Sequence, residues 1–205
     1  MKPMVRRLFY LQKKVLMFQV VFIVMSVTFG DQFLANDGLF ALIIPTIVYM
    51  AVIFPEQLDE SAHYGWVLNS LPATRREIVD AKYLSALLLY VVIVLCVTIS
   101  HYVFVLLGAI QNQVENLLNG MVSSFLIVGI LVGVSIPITI KMAYSKGRIV
   151  NIILFITIFN VVNFIKPFLS ESISGNIRWL LVWLVIGLLV GSRQFSMKEY
   201  LKKEF

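Results

Sequence analysis

The sequence predicts an all-α integral membrane protein, with six transmembrane helices in one domain that spans residues 1–205. Two observations support this fold class. Apolar residues make up 60% of the chain and charged residues only 14%, a balance that leaves a water-soluble fold too little polar surface to cover its core. The apolar residues also gather in six runs, at positions 15–33, 39–54, 84–110, 117–140, 149–168 and 177–190.

The six runs differ in length. A helix needs about 20 apolar residues to cross the hydrocarbon core, and the third, fourth and fifth runs meet that length. The second run has 16 residues and contains Pro45, and the sixth has 14. The sequence therefore leaves open whether both short runs cross fully or one of them is re-entrant. The first run is too long for a signal-peptide core and lacks a small-residue cleavage site, so we expect it to be retained.

Basic residues set the predicted orientation. In a six-span topology, fifteen of the seventeen Lys and Arg residues lie on one side of the membrane, and only Lys166 and Arg178 lie on the other. The positive-inside rule then places both termini in the cytoplasm. The net charge of +6 follows from this topology and from contacts with lipid headgroups, and it calls for no nucleic-acid partner.

The N-terminal residues 1–14 predict an amphipathic helix on the membrane surface. Met4, Leu8 and Leu11 fall on one side of it, and basic residues occupy the remainder. Such a pattern is typical of a helix that lies in the interface before the chain enters the bilayer.

The fourth run contains two glycines one turn apart and a proline. Gly129 and Gly133 are spaced for close approach of a neighbouring helix, and Pro137 follows one turn later. The pattern predicts a close helix contact and a kink in this span.

The segment 56–83, between the second and third runs, is the only sizeable polar segment between apolar runs, and we call it the elbow. It begins with a predicted surface helix whose first turns are acidic. Pro72 disfavours a helical Leu71, so this first helix should end there. Thr74 and Glu77 then form a Ser/Thr-x-x-Glu capping box, which predicts a new helix that continues into the third span.

One string, at the end of the elbow and the start of the third run, resembles a family signature. The residues from Ser70 to Leu84 read SLPATRREIVDAKYL, and this string is similar to one that follows the second of six spans in type-2 ABC exporter permeases. The resemblance implies a cytoplasmic coupling helix that docks on a separate ABC ATPase subunit, where ATP and Mg²⁺ bind. It also implies a second permease subunit, in a homodimer or heterodimer, within a bacterial cytoplasmic membrane. The likeness is strongest to small exporters of antimicrobial or cytolytic peptides, such as phenol-soluble modulins.

The resemblance also implies roles for particular residues. An ATPase-coupling role falls on elbow residues: Glu56, Asp59, Glu60, His63, Trp66, Pro72, Arg75, Arg76 and Glu77. Lys82 and Tyr83, at the start of the third span, are expected to anchor it at the membrane interface.

Motifs for catalysis are not found in the sequence. The chain has no G-x-x-x-x-G-K-[ST] loop, so it is not expected to cradle nucleotide phosphates itself. Glu60 and His63 have the Glu-x-x-His spacing of a di-metal site, but such sites need two of these motifs. We therefore expect a transporter subunit that is not an enzyme and holds no metal or cofactor of its own.

Three polar residues within predicted spans have two possible roles. His101, Asn160 and Asn163 can form hydrogen bonds between helices, or they can line a mostly apolar path for cargo. The sequence does not decide between these roles.

The alternative function is a membrane immunity or sensor protein that binds a peptide toxin and needs no ATPase. An intramembrane enzyme is a third class, with weaker support because the motifs of such enzymes are missing. The residues do not identify the cargo, and the direction of transport rests on the resemblance alone.

Overall fold

The computed structural model describes residues 44–50, 52, 74–107, 114–142, 147, 149–158, 160 and 175–202. These residues form helices and helix ends, and no strand occurs among them, as the predicted all-α class requires. In chain order the helices are α1 (residues 44–50), α2 (Arg75–Leu106), α3 (Val114–Lys141), α4 (Ile149–Ile158) and α5 (Gly175–Lys202).

Three helices in the described part of the chain, α2, α3 and α5, are long and apolar enough to cross a membrane. The sixth apolar run looked short in the sequence, but α5 continues past it to Lys202 and has 28 residues. At about 1.5 Å per residue it is roughly 42 Å long, more than the ~30 Å core requires. The six-span count stays a prediction, because the first run and the interface helix 1–14 lie outside the described residues.

The helix α2 has two apolar faces. One face is buried against the other helices and comprises Ile78, Val79, Tyr83, Ala86, Leu89, Tyr90, Ile93 and Val97, with the polar His101 beyond them. The other is exposed and comprises Leu84, Leu88, Val91, Leu95, Ile99, Tyr102 and Leu106. Along each face the residues repeat at intervals of three or four positions, which is the spacing of one side of a helix. Beyond Lys82, α2 is mostly apolar on both sides, which suits packing on protein at one side and lipid at the other.

The helices α3 and α5 lie in close contact. A Cβ atom added to Gly129 would overlap the side chain of Val185, and one added to Gly133 would overlap that of Leu188. The second contact lies further along both helices than the first, so α3 and α5 run in the same direction. The predicted close helix contact at these glycines is confirmed, and Pro137 lies inside α3 as expected.

The helix α2 runs antiparallel to these two. The hydroxyl of Tyr90 donates to the carbonyl of Met121 near the start of α3, whereas Arg75 reaches Leu201 at the end of α5. The start of α2 and the ends of α3 and α5 therefore share one end of the bundle. All the basic side chains that the structure describes lie there, and we call it the basic end: Arg75, Arg76, Lys82, Lys141, Arg193, Lys198 and Lys202.

The short helices α1 and α4 contact each other, and both pack against α3. The rings of Tyr49 and Phe155 stack with centroids 4.6 Å apart, and both residues pack with Ile127 and Leu131 of α3.

Candidate functional site

The elbow ends in the capped helix start that the sequence predicts. The Glu77 carboxylate accepts from the backbone N–H of Thr74 at 2.9 Å, and the Thr74 hydroxyl accepts from the backbone N–H of Glu77 at 3.3 Å. Two N–H groups without helical partners are thereby satisfied. The capping box is confirmed, and α2 runs from it without a break for 32 residues.

Polar contacts at the basic end join the start of α2 to the end of α5. The Arg75 guanidinium donates to the carbonyl of Leu201 at 2.9 Å, one of the last carbonyls of α5, which have no partner within their own helix. Asp80 and Arg193 form a two-bonded ion pair, with Nε to Oδ1 at 2.6 Å and Nη2 to Oδ2 at 2.9 Å. Paired bonds of this kind fix the relative position of the two helices more strictly than a single contact does.

Just inside this ion pair, Tyr83 contacts two serines of α5. Its hydroxyl lies 2.6 Å from the Ser192 hydroxyl and 2.9 Å from the Ser196 hydroxyl. Ser192 in turn donates to the carbonyl of Gly133 in α3. Because Ser192 has one proton and gives it to Gly133, Tyr83 must be the donor to Ser192. Tyr83 then accepts from Ser196, and the chain of hydrogen bonds runs from α5 to α2, back to α5, and on to α3.

The Gly133 carbonyl, which ends this series of hydrogen bonds, lacks its normal partner within α3. Residue 137 would normally donate its N–H to the carbonyl of Gly133, four residues earlier, but Pro137 has none. In a membrane an unpartnered carbonyl is costly, and a hydroxyl from a neighbouring helix often replaces the lost bond. Ser192 performs that replacement here. The proline break in α3 is therefore tied to α5 and, through Tyr83, to α2.

The predicted elbow residues are described only in part. Arg76 is exposed, Arg75 contacts α5, and Glu77 belongs to the capping box. The predictions for Glu56, Asp59, Glu60, His63, Trp66 and Pro72 lie outside the described residues.

The two predicted interface anchors differ in burial. Lys82 is half-buried. Tyr83 is only 6% exposed, with its hydroxyl in the chain described above. Their role as membrane anchors stays a prediction.

The predicted cavity residues are not brought together where the structure describes them. His101 is buried on α2, and neither ring nitrogen has a hydrogen-bond partner among the described residues. Asn160 is exposed, and its side-chain amide donates to the carbonyl of Ile156, four residues earlier, at 2.8 Å. Asn163 lies outside the described residues. A role in a cargo path stays a prediction for all three.

A small, partly open groove lies between α1 and α3. Its lining is apolar apart from the side chains of Tyr49 and Ser135, and it comprises Pro45, Val48, Tyr49, Val52, Val128, Leu131, Val132 and Ser135. On α4, Asn151 is fully buried, and neither atom of its amide has a hydrogen-bond partner among the described residues.

No cluster of His, Cys, Asp or Glu side chains suited to a metal ion occurs in the part of the chain that the structure describes. The Glu60–His63 pair lies outside that part. The described basic end holds an ion pair and hydrogen bonds that join α2 to α5.

Sequence reasoning missed Asp80, Ser192 and Ser196, and it treated Arg193 only as a topological charge. One signal was available, because a proline within a span frees the carbonyl four residues before it, which here is Gly133. Which residue would satisfy that carbonyl depends on how the helices pack, and the sequence does not show this.

Comparisons with known proteins place the chain in a family. The family model described as ABC-2 family transporter protein matches residues 4–200. A comparison with curated proteins and a comparison with solved structures each find no match. The family match agrees with the resemblance drawn from the elbow, whereas the finer likeness to exporters of phenol-soluble modulins stays a prediction. With nearly its whole length matched, this chain belongs to the ABC-2 family of transporter proteins, whose membership implies a multi-pass membrane subunit and an ATPase partner.

Proposed function

We infer that this chain is the transmembrane subunit of an ATP-driven exporter, moved by a separate ABC ATPase that docks on the elbow. The subunit pairs with a second permease subunit, identical or different, in a bacterial cytoplasmic membrane with both termini in the cytoplasm. Its cargo is an amphipathic antimicrobial or cytolytic peptide, or another molecule of similar hydrophobic character. ATP and Mg²⁺ bind the partner, and this chain carries no catalytic residue.

The observation that carries the proposal is the unbroken helix that begins at the elbow. Thr74 and Glu77 fix its first turn, and the same helix continues for 32 residues to Leu106. A rigid helix transmits a displacement at its polar end to the part within the membrane. An ATPase that pushes the elbow therefore moves a span directly.

The charge distribution is consistent with an ATPase at this end. The exposed basic side chains of Arg76 and Lys198 lie at the basic end, which the positive-inside rule assigns to the cytoplasm. The acidic residues Glu56, Asp59 and Glu60 precede Arg76 in the elbow. Mixed charges of this kind favour specific docking of a partner more than they add affinity.

The proposal is tested by purification in a mild detergent from the native membrane. We expect an ATPase chain to co-purify in a fixed ratio to this subunit. Arg76→Glu, at an exposed position, should leave the protein in the membrane but uncouple the two activities, so that ATP hydrolysis no longer drives export. Gln194→Glu is a control for an added negative charge, because Gln194 is also exposed at the basic end but lies outside the elbow.

Two results would contradict the proposal. A clean preparation without a nucleotide-binding partner would favour the immunity or sensor function, which needs none. Failure of the Arg76→Glu protein to insert would indicate that this arginine only sets topology.

A further inference from the structure

We propose that Tyr83 and Ser192 are positioning residues that couple the movement of α2 to bending of α3 at Pro137. The inference rests on the proposed function, since it assumes that the ATPase moves the elbow. It adds that α5 transmits the movement, a role that nothing in the elbow itself indicates.

The first step of the transmission lies between α2 and α5. Asp80 and Arg193 hold the two helices together through the paired bonds at 2.6 and 2.9 Å. One turn along α2, Tyr83 is buried and bonds to Ser192 at 2.6 Å. Tyr200 of α5 is also buried, in the same apolar cluster as Ile78 and Val79. These contacts span the described start of α2, so a shift of that segment displaces the end of α5 with it.

The second step lies between α5 and α3. Ser192 donates to the Gly133 carbonyl, which Pro137 leaves without its normal helical partner. Helices bend where their ladder of hydrogen bonds is interrupted. While Ser192 occupies this carbonyl, the angle of α3 at Pro137 is set by the position of α5. Displacement of Ser192 frees the carbonyl to tilt, and the end of α3 near Lys141 can then move separately from the part packed on Val185.

The contacts nearer the membrane centre give α3 a fixed reference. Val185 and Leu188 pack against Gly129 and Gly133 so closely that a methyl group would not fit. This part of the α3–α5 pair therefore stays together while the turns after Pro137 move. The bend point falls between a rigid contact and the basic end, which is where a movement received from α2 has most effect.

The test uses the complex of this subunit with its co-purified ATPase, in which Cys96 is replaced by Ala and spin labels are attached at introduced cysteines. One pair, Leu84→Cys with Trp183→Cys, reports the position of the start of α2 relative to the part of α5 that stays packed on α3 near Val185. The second pair, Lys141→Cys with Trp183→Cys, reports the end of α3 relative to α5. All three labelled positions are exposed. Distances are compared without nucleotide and with ATP-Mg²⁺ and vanadate.

We expect nucleotide to shift the distances of both pairs in the otherwise unchanged complex. In Ser192→Ala the first pair should still shift, while the second pair gives one broad distribution with and without nucleotide. Ser192→Thr keeps the hydroxyl and should restore the shift. Ser196→Ala is the control, because it removes a neighbouring hydroxyl but leaves the bond from Ser192 to Gly133 in place.

The outcomes separate this inference from the proposed function. If the second pair responds to nucleotide in Ser192→Ala as it does in the unchanged complex, the inference is wrong and the proposed function stands. If no ATPase co-purifies, or neither pair responds in the unchanged complex, the proposed function fails and the inference fails with it.

Discussion

The hydroxyl of Ser192 donates to the carbonyl of Gly133, and so an α5 side chain completes the backbone hydrogen bonding of α3. The need for this bond arises within α3, because Pro137 supplies no N–H to that carbonyl. The two glycines of α3 bring α5 close enough to provide the donor. Close packing at the glycines and the hydrogen bond from Ser192 thus both hold α3 against α5.

The Ser192–Gly133 bond should matter only while Pro137 is present. Ser192→Ala should lower the free energy of unfolding by about 1 kcal/mol, as for other hydrogen bonds between membrane helices. With Pro137→Ala, the new backbone N–H can bond the Gly133 carbonyl, and Ser192→Ala should then cost much less. The measurement is a double-mutant cycle from unfolding of the detergent-solubilised protein. Equal losses in both backgrounds would mean that the serine acts independently of the proline break.

Methyl groups on the two glycines of α3 should destabilise the protein unequally. Gly129→Ala places a methyl against Val185 and Gly133→Ala places one against Leu188, and overpacking of this kind costs about 1–3 kcal/mol. The loss should be larger at Gly129, because the β-branched Val185 is stiff and the overlapped atom of Leu188 ends a flexible side chain. Thermal unfolding in detergent measures both effects.

Two other glycines provide the control for this prediction. A Cβ atom added to Gly187 or Gly191 in α5 meets nothing within 4 Å, so Ala there should be neutral or stabilising through its higher helix propensity. Val185→Ala should recover part of the stability lost in Gly129→Ala. Equal losses at all four glycines would show that helix contact is not the cause.

Local features of the fold could be predicted from the sequence. The capping box at Thr74 and Glu77 depends on residues three positions apart, and the contact at Gly129 and Gly133 depends on residue size at helical spacing. Both could be anticipated because the physics acts within one or two turns. The apolar runs likewise located α2 and α3.

Contacts between distant residues could not be predicted in this way. Asp80 and Arg193 are 113 positions apart, and nothing in their local sequence identifies each as the partner of the other. The length of α5 was underestimated for a related reason. The apolar run stops at position 190, but the helix continues because its polar turns pack on α2 through Ser196 and Tyr200.

Charge reversal should test the ion pair between α2 and α5. Asp80→Arg and Arg193→Asp each place like charges together, and each should lower stability by about 1 kcal/mol at low salt, an effect that weakens as salt increases. The double exchange should recover much of the loss, because the opposite charges face each other again. Glu199 and Lys202, 3.0 Å apart within α5, are the matched control.

Reversal of the control pair should change stability less, since it joins no second helix. Unfolding of each variant at low and high ionic strength supplies the comparison. An exchanged pair that is as unstable as the sum of the single variants would show that Asp80 and Arg193 do not act together.

The buried amide of Asn151 should be a site where stability and function conflict. Its side chain is 0% exposed, and both amide atoms have no hydrogen-bond partner among the described residues. Burying polar atoms without partners costs about 1–3 kcal/mol. Asn151→Leu removes that cost with a side chain of similar size, so we expect the free energy of unfolding to rise.

Asn160→Leu is the comparison for this substitution, because Asn160 is exposed and its amide already bonds to Ile156. It should change stability little. Unfolding in detergent and ATP-driven transport in vesicles are measured on the same preparations. A rise in stability with a loss of transport for Asn151→Leu would indicate that the amide finds a partner in another state of the transport cycle. A fall in stability would mean instead that Asn151 has a partner in the folded protein.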